Sequence, residues 1–293
     1  MMKGRSVKKQ KSIYSGWFLA PVIIIFGGLF LLPTVISFFF SMTVWDLTSW
    51  TWAGLDNFIQ FFSEYSLRIG IKNTFIYAIL TCVLKVVFGL LLAVILTSKI
   101  RTKNLVRSIV FFPNLISTVA VGIIFSALMH PSKGLFNEIL ELAGLPAIDW
   151  LGNRDIALYS VILTDVWKGV GVATVIYIAG ITAIPRDYYE AASLDGATTI
   201  QQFFRITIPL CRSSMNSVII LSFIGGMRTF DLIWSMTGGG PGFATDTLAS
   251  VIYKQYAAGF YGLSTAGNVI MFVLIAVIAF PLFNYLTSKE VEV

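Results

Sequence analysis

The chain has 293 residues, of which 56% are hydrophobic and only 12% charged, with a mean hydropathy of +0.81. A water-soluble domain carries about twice that share of charge, so a soluble globule is excluded, and repeated long apolar runs specify membrane helices rather than a barrel. The net charge of +6 is then a signal of topology, not a footprint for nucleic acid.

Along the chain, the basic stretch MMKGRSVKKQK precedes an apolar run from Trp17 to about Met42. The core of a signal peptide is only ~7–15 residues long, so this run reads as an uncleaved first span, with Trp17 and Trp45 as interfacial rings. Further spans are expected over roughly 73–98, 108–129, 156–182, 214–236 and 266–287, six in all. Pro21, Pro33 and Pro281 fall within spans, where neighbouring helices satisfy the freed carbonyls. Thirteen Lys and Arg lie on one side: Lys3, Arg5, Lys8, Lys9 and Lys11; Lys99, Arg101, Lys103 and Arg107; Arg186, Arg205, Arg212 and Lys289. Five lie on the other, namely Arg68, Lys72, Lys133, Arg154 and Lys254. The excess puts both termini in the cytoplasm. The expected organisation is a tail, first span and external loop over 1–72, a core of five spans over 73–288, and a tail over 289–293. External loops are expected near 43–72, 130–155 and 237–265.

Cys82 and Cys211 fall at different depths, so no disulfide is expected. His130 has no neighbouring ligand residue and suggests no metal site. TGGGPGFAT is not a phosphate loop, because it follows a membrane helix and no GxxxxGK[ST] occurs in the chain. No means of hydrolysing ATP is visible.

Between the fourth and fifth spans lies EAASLDGATTIQQFFRITIPL, Glu190–Leu210. Pro185 suits a first helical position and Asp187 the positive end of its dipole. Gly196 is able to end that helix in the left-handed region. Thr198 or Thr199 with Gln201 or Gln202 offers a capping box for a second helix, which Pro209 would stop. A helix–Gly–helix hairpin over 185–210 is the result. Ala191 and Ala192 permit close approach, and Glu190 and Asp195 supply polar contacts, as a docking surface needs. An amphipathic linker lying on the membrane is the alternative reading of the same residues.

The spacing of Glu190, Ala191, Ala192, Gly196, Ile206, Ile208 and Pro209 resembles the cytoplasmic EAA loop of permease subunits of binding-protein-dependent ABC importers, with Ile208 where Leu is commoner. FLAPVIIIF, GLDNFIQFF, VWKGVG and FDLIWSMTGGGPGFAT extend the likeness to the carbohydrate-uptake group of maltose-, glycerol-3-phosphate- and multiple-sugar-type permeases. Within that group the chain resembles the first of two partner permeases. The resemblance implies an all-α polytopic bundle of the type I importer permease fold in a bacterial or archaeal inner membrane. It also implies separate ABC ATPase subunits that use ATP and Mg, a second homologous permease, an external solute-binding protein and a carbohydrate substrate. The chain itself would bind no cofactor. The hairpin would be a coupling helix: Glu190 touches the ATPase, Gly196 makes the turn, and Ile206 with Ile208 anchors it to the spans.

Charges inside spans are costly and so are functional candidates. Asp165 and Lys168 stand three apart on the fourth span and share a helix face, and Arg228 and Asp231 do the same on the fifth. They pair locally, pair across the bundle, or line a pathway with Asn114, Trp167, Trp234 and Asn268, a lining suited to sugars. Mutual neutralisation that only locks helices together is the competing reading. Lys85 has no partner nearby in sequence. An ion-gradient transporter using Asp165 and Asp231, and a scaffold without transport, are the competing functions.

Overall fold

A computed structural model describes residues 16–98 and 102–288. The basic residues expected before Gly16, at Lys99 and Arg101, and at Lys289 lie outside them, as does the 289–293 tail. The chain is a helical membrane bundle. Four helices are long and apolar enough to cross a bilayer: Trp17–Ser41, Tyr65–Thr97, Ala157–Ala183 and Tyr261–Thr287. There are six crossings if two bent pairs each count as one.

The two bent pairs depart from the expectation of straight spans. Lys103–Leu115 and Thr118–Leu128 meet at 99°, because Ile116 and Ser117 are extended. Thr199–Leu210 and Arg212–Met227 meet at 68°. The expected 214–236 span ends at Met227, and after Arg228–Phe230 a separate short helix, Asp231–Met236, begins. Arg228 caps one helix end and Asp231 opens the other, so they do not share one helix face. Each charge suits its own terminus, a cation at a C-terminus and an anion at an N-terminus.

Packing between lipid-soluble helices gains little from water exclusion and depends on close fit. The Tyr65–Thr97 helix is the centre, packed on Ala157–Ala183 and on Arg212–Met227. Fully buried Ala78, Ala93 and Ala173 let these backbones approach. One core cluster surrounds Tyr77, Val161 and Ile233, and a second surrounds Ala93, Tyr177 and Val218. A third, at one end, joins Phe61, Leu67, Leu248 and Leu263. The first span is different. None of its apolar window is buried, and it packs chiefly through Leu32–Ser41 on the Tyr261–Thr287 helix.

The loops expected outside the membrane are built, not loose. Thr43–Trp45 pairs antiparallel with Trp50–Trp52, a small addition to the expected all-helical fold. Buried Asn57 donates to the carbonyls of Ser41 and Thr43 at 2.9 and 2.8 Å. Asn73 donates to Ala244 and Asp246 carbonyls, both at 2.9 Å. Lys254 closes on the fully buried Asp246 carboxylate at 2.7 Å. Each side chain satisfies groups that water would otherwise have to reach.

Candidate functional site

Two places carry chemistry. The first is a cavity of about 230 Å³ inside the bundle, lined by Lys85, Asn114, Asp165 and Lys168, with Thr118 and Ser222. Five helices supply it: Lys85 from Tyr65–Thr97, Asp165 and Lys168 from Ala157–Ala183, Asn114 from Lys103–Leu115, Thr118 from Thr118–Leu128 and Ser222 from Arg212–Met227. The 99° bend beside Pro113 presents Asn114 and Thr118 together. Lys85 Nζ lies 2.7 Å from Asp165 Oδ2, with side chains 13% and 21% exposed. Gly169 makes the approach possible, since a Cβ there would stand 2.7 Å from Lys85 Cε. Asp165 thus pairs across the bundle and not with Lys168. Lys168 is half-buried and makes no ion pair among the described residues. The cavity therefore holds one neutralised pair, one cation without an ion-pair partner among the described residues, an amide and hydroxyls.

The other candidates lie elsewhere. Trp167, two residues from Asp165, is turned away from the cavity, 44% exposed and 5.0 Å from the Phe125 ring. Trp234 stacks on Phe230 at 5.7 Å and meets Tyr253 at 4.7 Å. Arg228 and Asp231 are exposed and form no ion pair among the described residues. Asn268 sits in a groove with Pro33, Ser37 and Phe272, between the first and last spans. Lys85 is the functional candidate that sequence spacing left without a partner. Eighty residues separate it from Asp165, and only the packing of two helices reveals the pair.

The second place is the hairpin. Pro185 is the cap (φ −58°, ψ 136°) and the helix begins at Arg186, running to Leu194. Gly196 has φ +79°, with open space where a Cβ would point, so backbone conformation and not crowding requires glycine there. Ala197 N–H donates to Ala192 O at 2.9 Å across the turn. Thr198 and Gln201 form the reciprocal capping box. The arms are tied twice: Gln202 Nε2 donates to Ser193 Oγ at 2.9 Å, and the Tyr189 and Thr207 hydroxyls meet at 3.0 Å.

Pro209 does not stop the second arm as expected. A wide turn over Phe203–Thr207, in which Ile208 N–H reaches Phe203 O, carries the chain past it. The bend comes at Cys211. Ile208 packs on the core with Tyr177 and Val218, and Ile206 is half-buried. Glu190, Ala191, Asp195 and Gly196 are exposed and Ala192 is partly covered. Beside them stand Leu194 (90% exposed), Ile200 (70%) and Phe204 (62%). This apolar tip was missed from sequence, although bulky apolar residues in an otherwise polar loop signal it.

A profile of the family described as "Binding-protein-dependent transport system inner membrane component" matches residues 85–290. The trehalose/maltose transport system permease protein MalF of Thermococcus litoralis is 32% identical over 259 residues, covering 88% of this chain and 87% of that protein. The probable starch degradation products transport system permease protein AmyD of Thermoanaerobacterium thermosulfurigenes is 30% identical over 292 residues, 97% of this chain and 99% of its own. In fold, the chain is similar to a subunit of a bacterial ABC transporter that imports the acidic polysaccharide alginate, with TM-score 0.80, 24% identity, and coverage of 94% and 93%. With the helical bundle, the bent spans and the EAA-type hairpin already in view, these matches establish that the chain belongs to the family of binding-protein-dependent transport system inner membrane components, a multi-pass transport subunit with no catalytic role of its own.

Proposed function

We propose that the chain is one of two homologous permeases, paired as a heterodimer, in an ATP-driven importer for a sugar or oligosaccharide delivered by an external binding protein. The observation that carries this reading is the hairpin. A transmembrane chain without a phosphate loop presents a rigid, doubly tied hairpin with exposed Leu194, Ile200 and Phe204 at its tip. Exposed bulky apolar residues in one patch mark an interaction surface. The partner is a separate ATPase, where ATP and Mg are used. Its closure pushes Glu190–Gly196, and Ile206–Pro209 pass the displacement to the spans. The chain crosses six times, each bent pair counting as one span, and the Lys and Arg distribution supports a cytoplasmic side for both termini and the hairpin, in a bacterial or archaeal membrane like those of the relatives. The cavity at Asn114, Asp165 and Lys168 is then the place where solute hydroxyls are met during transit, with an amide, a carboxylate and an ammonium as partners.

A polyol or glycerol phosphate is the second reading of the substrate. Lys168 favours the phosphorylated solute of the two, because an ammonium with no ion-pair partner among the described residues suits an anion.

Glu190→Lys and Gly196→Asp test the coupling role. Each is expected to insert normally, to lower ATP-driven uptake at least tenfold, and to lose the co-purifying ATPase. Normal uptake by both variants would remove the hairpin from the mechanism.

A further inference from the structure

At the opposite end of the bundle from the hairpin lies a third concavity that the transport reading does not use. Its place follows from the last helix, whose Leu286 carbonyl is bonded by Asn216 near the hairpin and whose start, Tyr261, is therefore at the far end. The pocket is about 270 Å³, between the Thr43–Trp52 strand pair, the Asp56–Ser63 helix and Gly259–Leu263. That is just under the ~300 Å³ at which clefts begin to hold drug-sized ligands, a size for one sugar ring.

Its walls mix rings with polar groups. Trp45, Phe260 and Tyr261 supply flat apolar faces, and Asp46, Ser49 and Gln60 supply the polar ones. Trp45 and Tyr261 are 5.4 Å apart, and Phe260 is 56% exposed. The Trp45 indole N–H is buried in this wall and has no acceptor among the described residues, a donor left without the partner that buried polar groups ordinarily have. Asp46 is held in its turn by the Ser49 and Thr48 N–H and O–H groups, at 2.6 to 3.1 Å. These bonds keep its carboxyl well below the ordinary range, so it is a fixed anionic acceptor. The Gln60 carboxamide is exposed and is bonded to none of the described residues. Faces for the C–H side of a ring, together with acceptors and donors for its hydroxyls, are what a pyranose needs.

The pocket also leads somewhere. From Tyr261 the rings continue to Tyr256 at 5.2 Å, to Tyr253 at 6.4 Å and to Trp234 at 4.7 Å. Trp234 stands on the Asp231–Met236 helix, which packs on Thr118–Leu128, and Thr118 lines the inner cavity.

Resting on the carbohydrate reading above, we infer that this pocket is an outer saccharide subsite that holds one pyranose of an oligosaccharide, with the ring series as its path toward the inner cavity. Saturation-transfer NMR on the assembled transporter in glycolipid-free nanodiscs tests it, with maltotriose, cellotriose and xylotriose as probes. Wild type is expected to pass saturation to ring protons of at least one trisaccharide. Gln60→Ala with Phe260→Ala lowers that signal about threefold to tenfold, the worth of one or two lost contacts. Trp45→Phe, which keeps a ring and removes the N–H, lowers it less. A variant outside both cavities, Leu142→Ala at an exposed position, keeps it. Equal signals in wild type and both pocket variants, or no signal in wild type, overturn the subsite. ATP-driven uptake of the same sugars, measured separately on the wild-type complex, judges the import reading on its own.

Discussion

Lys85 and Asp165 form an ion pair with little solvent between helices that enclose a cavity. Such a pair offers weak net stability, because its attraction mostly offsets the loss of hydration, but half of it alone is costly. Lys85→Met is therefore expected to destabilise the bundle by somewhat less than the ~3–5 kcal/mol seen when a fully buried pair is broken. Adding Asp165→Asn should recover most of the loss. Thermal unfolding in detergent reads the stability and proteoliposome uptake reads the transport. Recovery of stability without recovery of uptake assigns the pair to the pathway, and recovery of both makes it a helix lock. The same cycle run with Lys168 in place of Lys85 is expected to show no coupling, since Lys168 is not Asp165's partner. Spacing in the sequence offered Lys168 as a local partner, because residues three apart share a helix face, and left pairing across the bundle open. It could not weigh that against a lysine eighty residues away whose path is opened by Gly169.

At the level of elements, two prolines show why helix boundaries were harder to read than helices. Pro33 and Pro209 each follow a five-residue wide turn by one residue: Gly27–Leu31 before Pro33, and Phe203–Thr207 before Pro209. Proline has no N–H to offer the carbonyl four residues back, and its ring collides with that carbonyl. Widening the preceding turn shifts the carbonyls, so that Leu32 N–H reaches Gly27 O and Ile208 N–H reaches Phe203 O. The helix survives, where sequence grammar expected Pro209 to stop it. Pro209→Ala removes the need for the wide turn and lets the arm return to ordinary helical register. The expected result is ATP hydrolysis retained by the assembled complex with uptake lowered several-fold, measured as molecules moved per ATP. An unchanged ratio would mean that the wide turn does not set the hairpin's angle. The capping box at Thr198 and the turn at Gly196 were legible, because both rest on contacts within four residues. The breaks at Ile116–Ser117 and Arg228–Phe230 were not. They accompany the packing of Asp231–Met236 on Thr118–Leu128, a contact between distant segments.

For the whole molecule, composition alone settled the solvent, and the long apolar runs settled the bundle. Orientation is open to direct measurement, because both native cysteines are buried and slow to label. Leu194→Cys (90% exposed in the native residue) should react only with reagent on the cytoplasmic side, and Leu142→Cys (89%) only from outside. The reverse pattern would invert every side assignment made from Lys and Arg. The first span has a consequence of another kind. Its chief contact within the chain is the final helix, through such pairs as Phe38 against Phe272 at 6.1 Å. Ribosomes deliver chains from the N-terminus, so this helix is made well before the Tyr261–Thr287 helix on which it packs. Until that later helix is made, the Phe38 face of the first span lacks its chief partner within the chain.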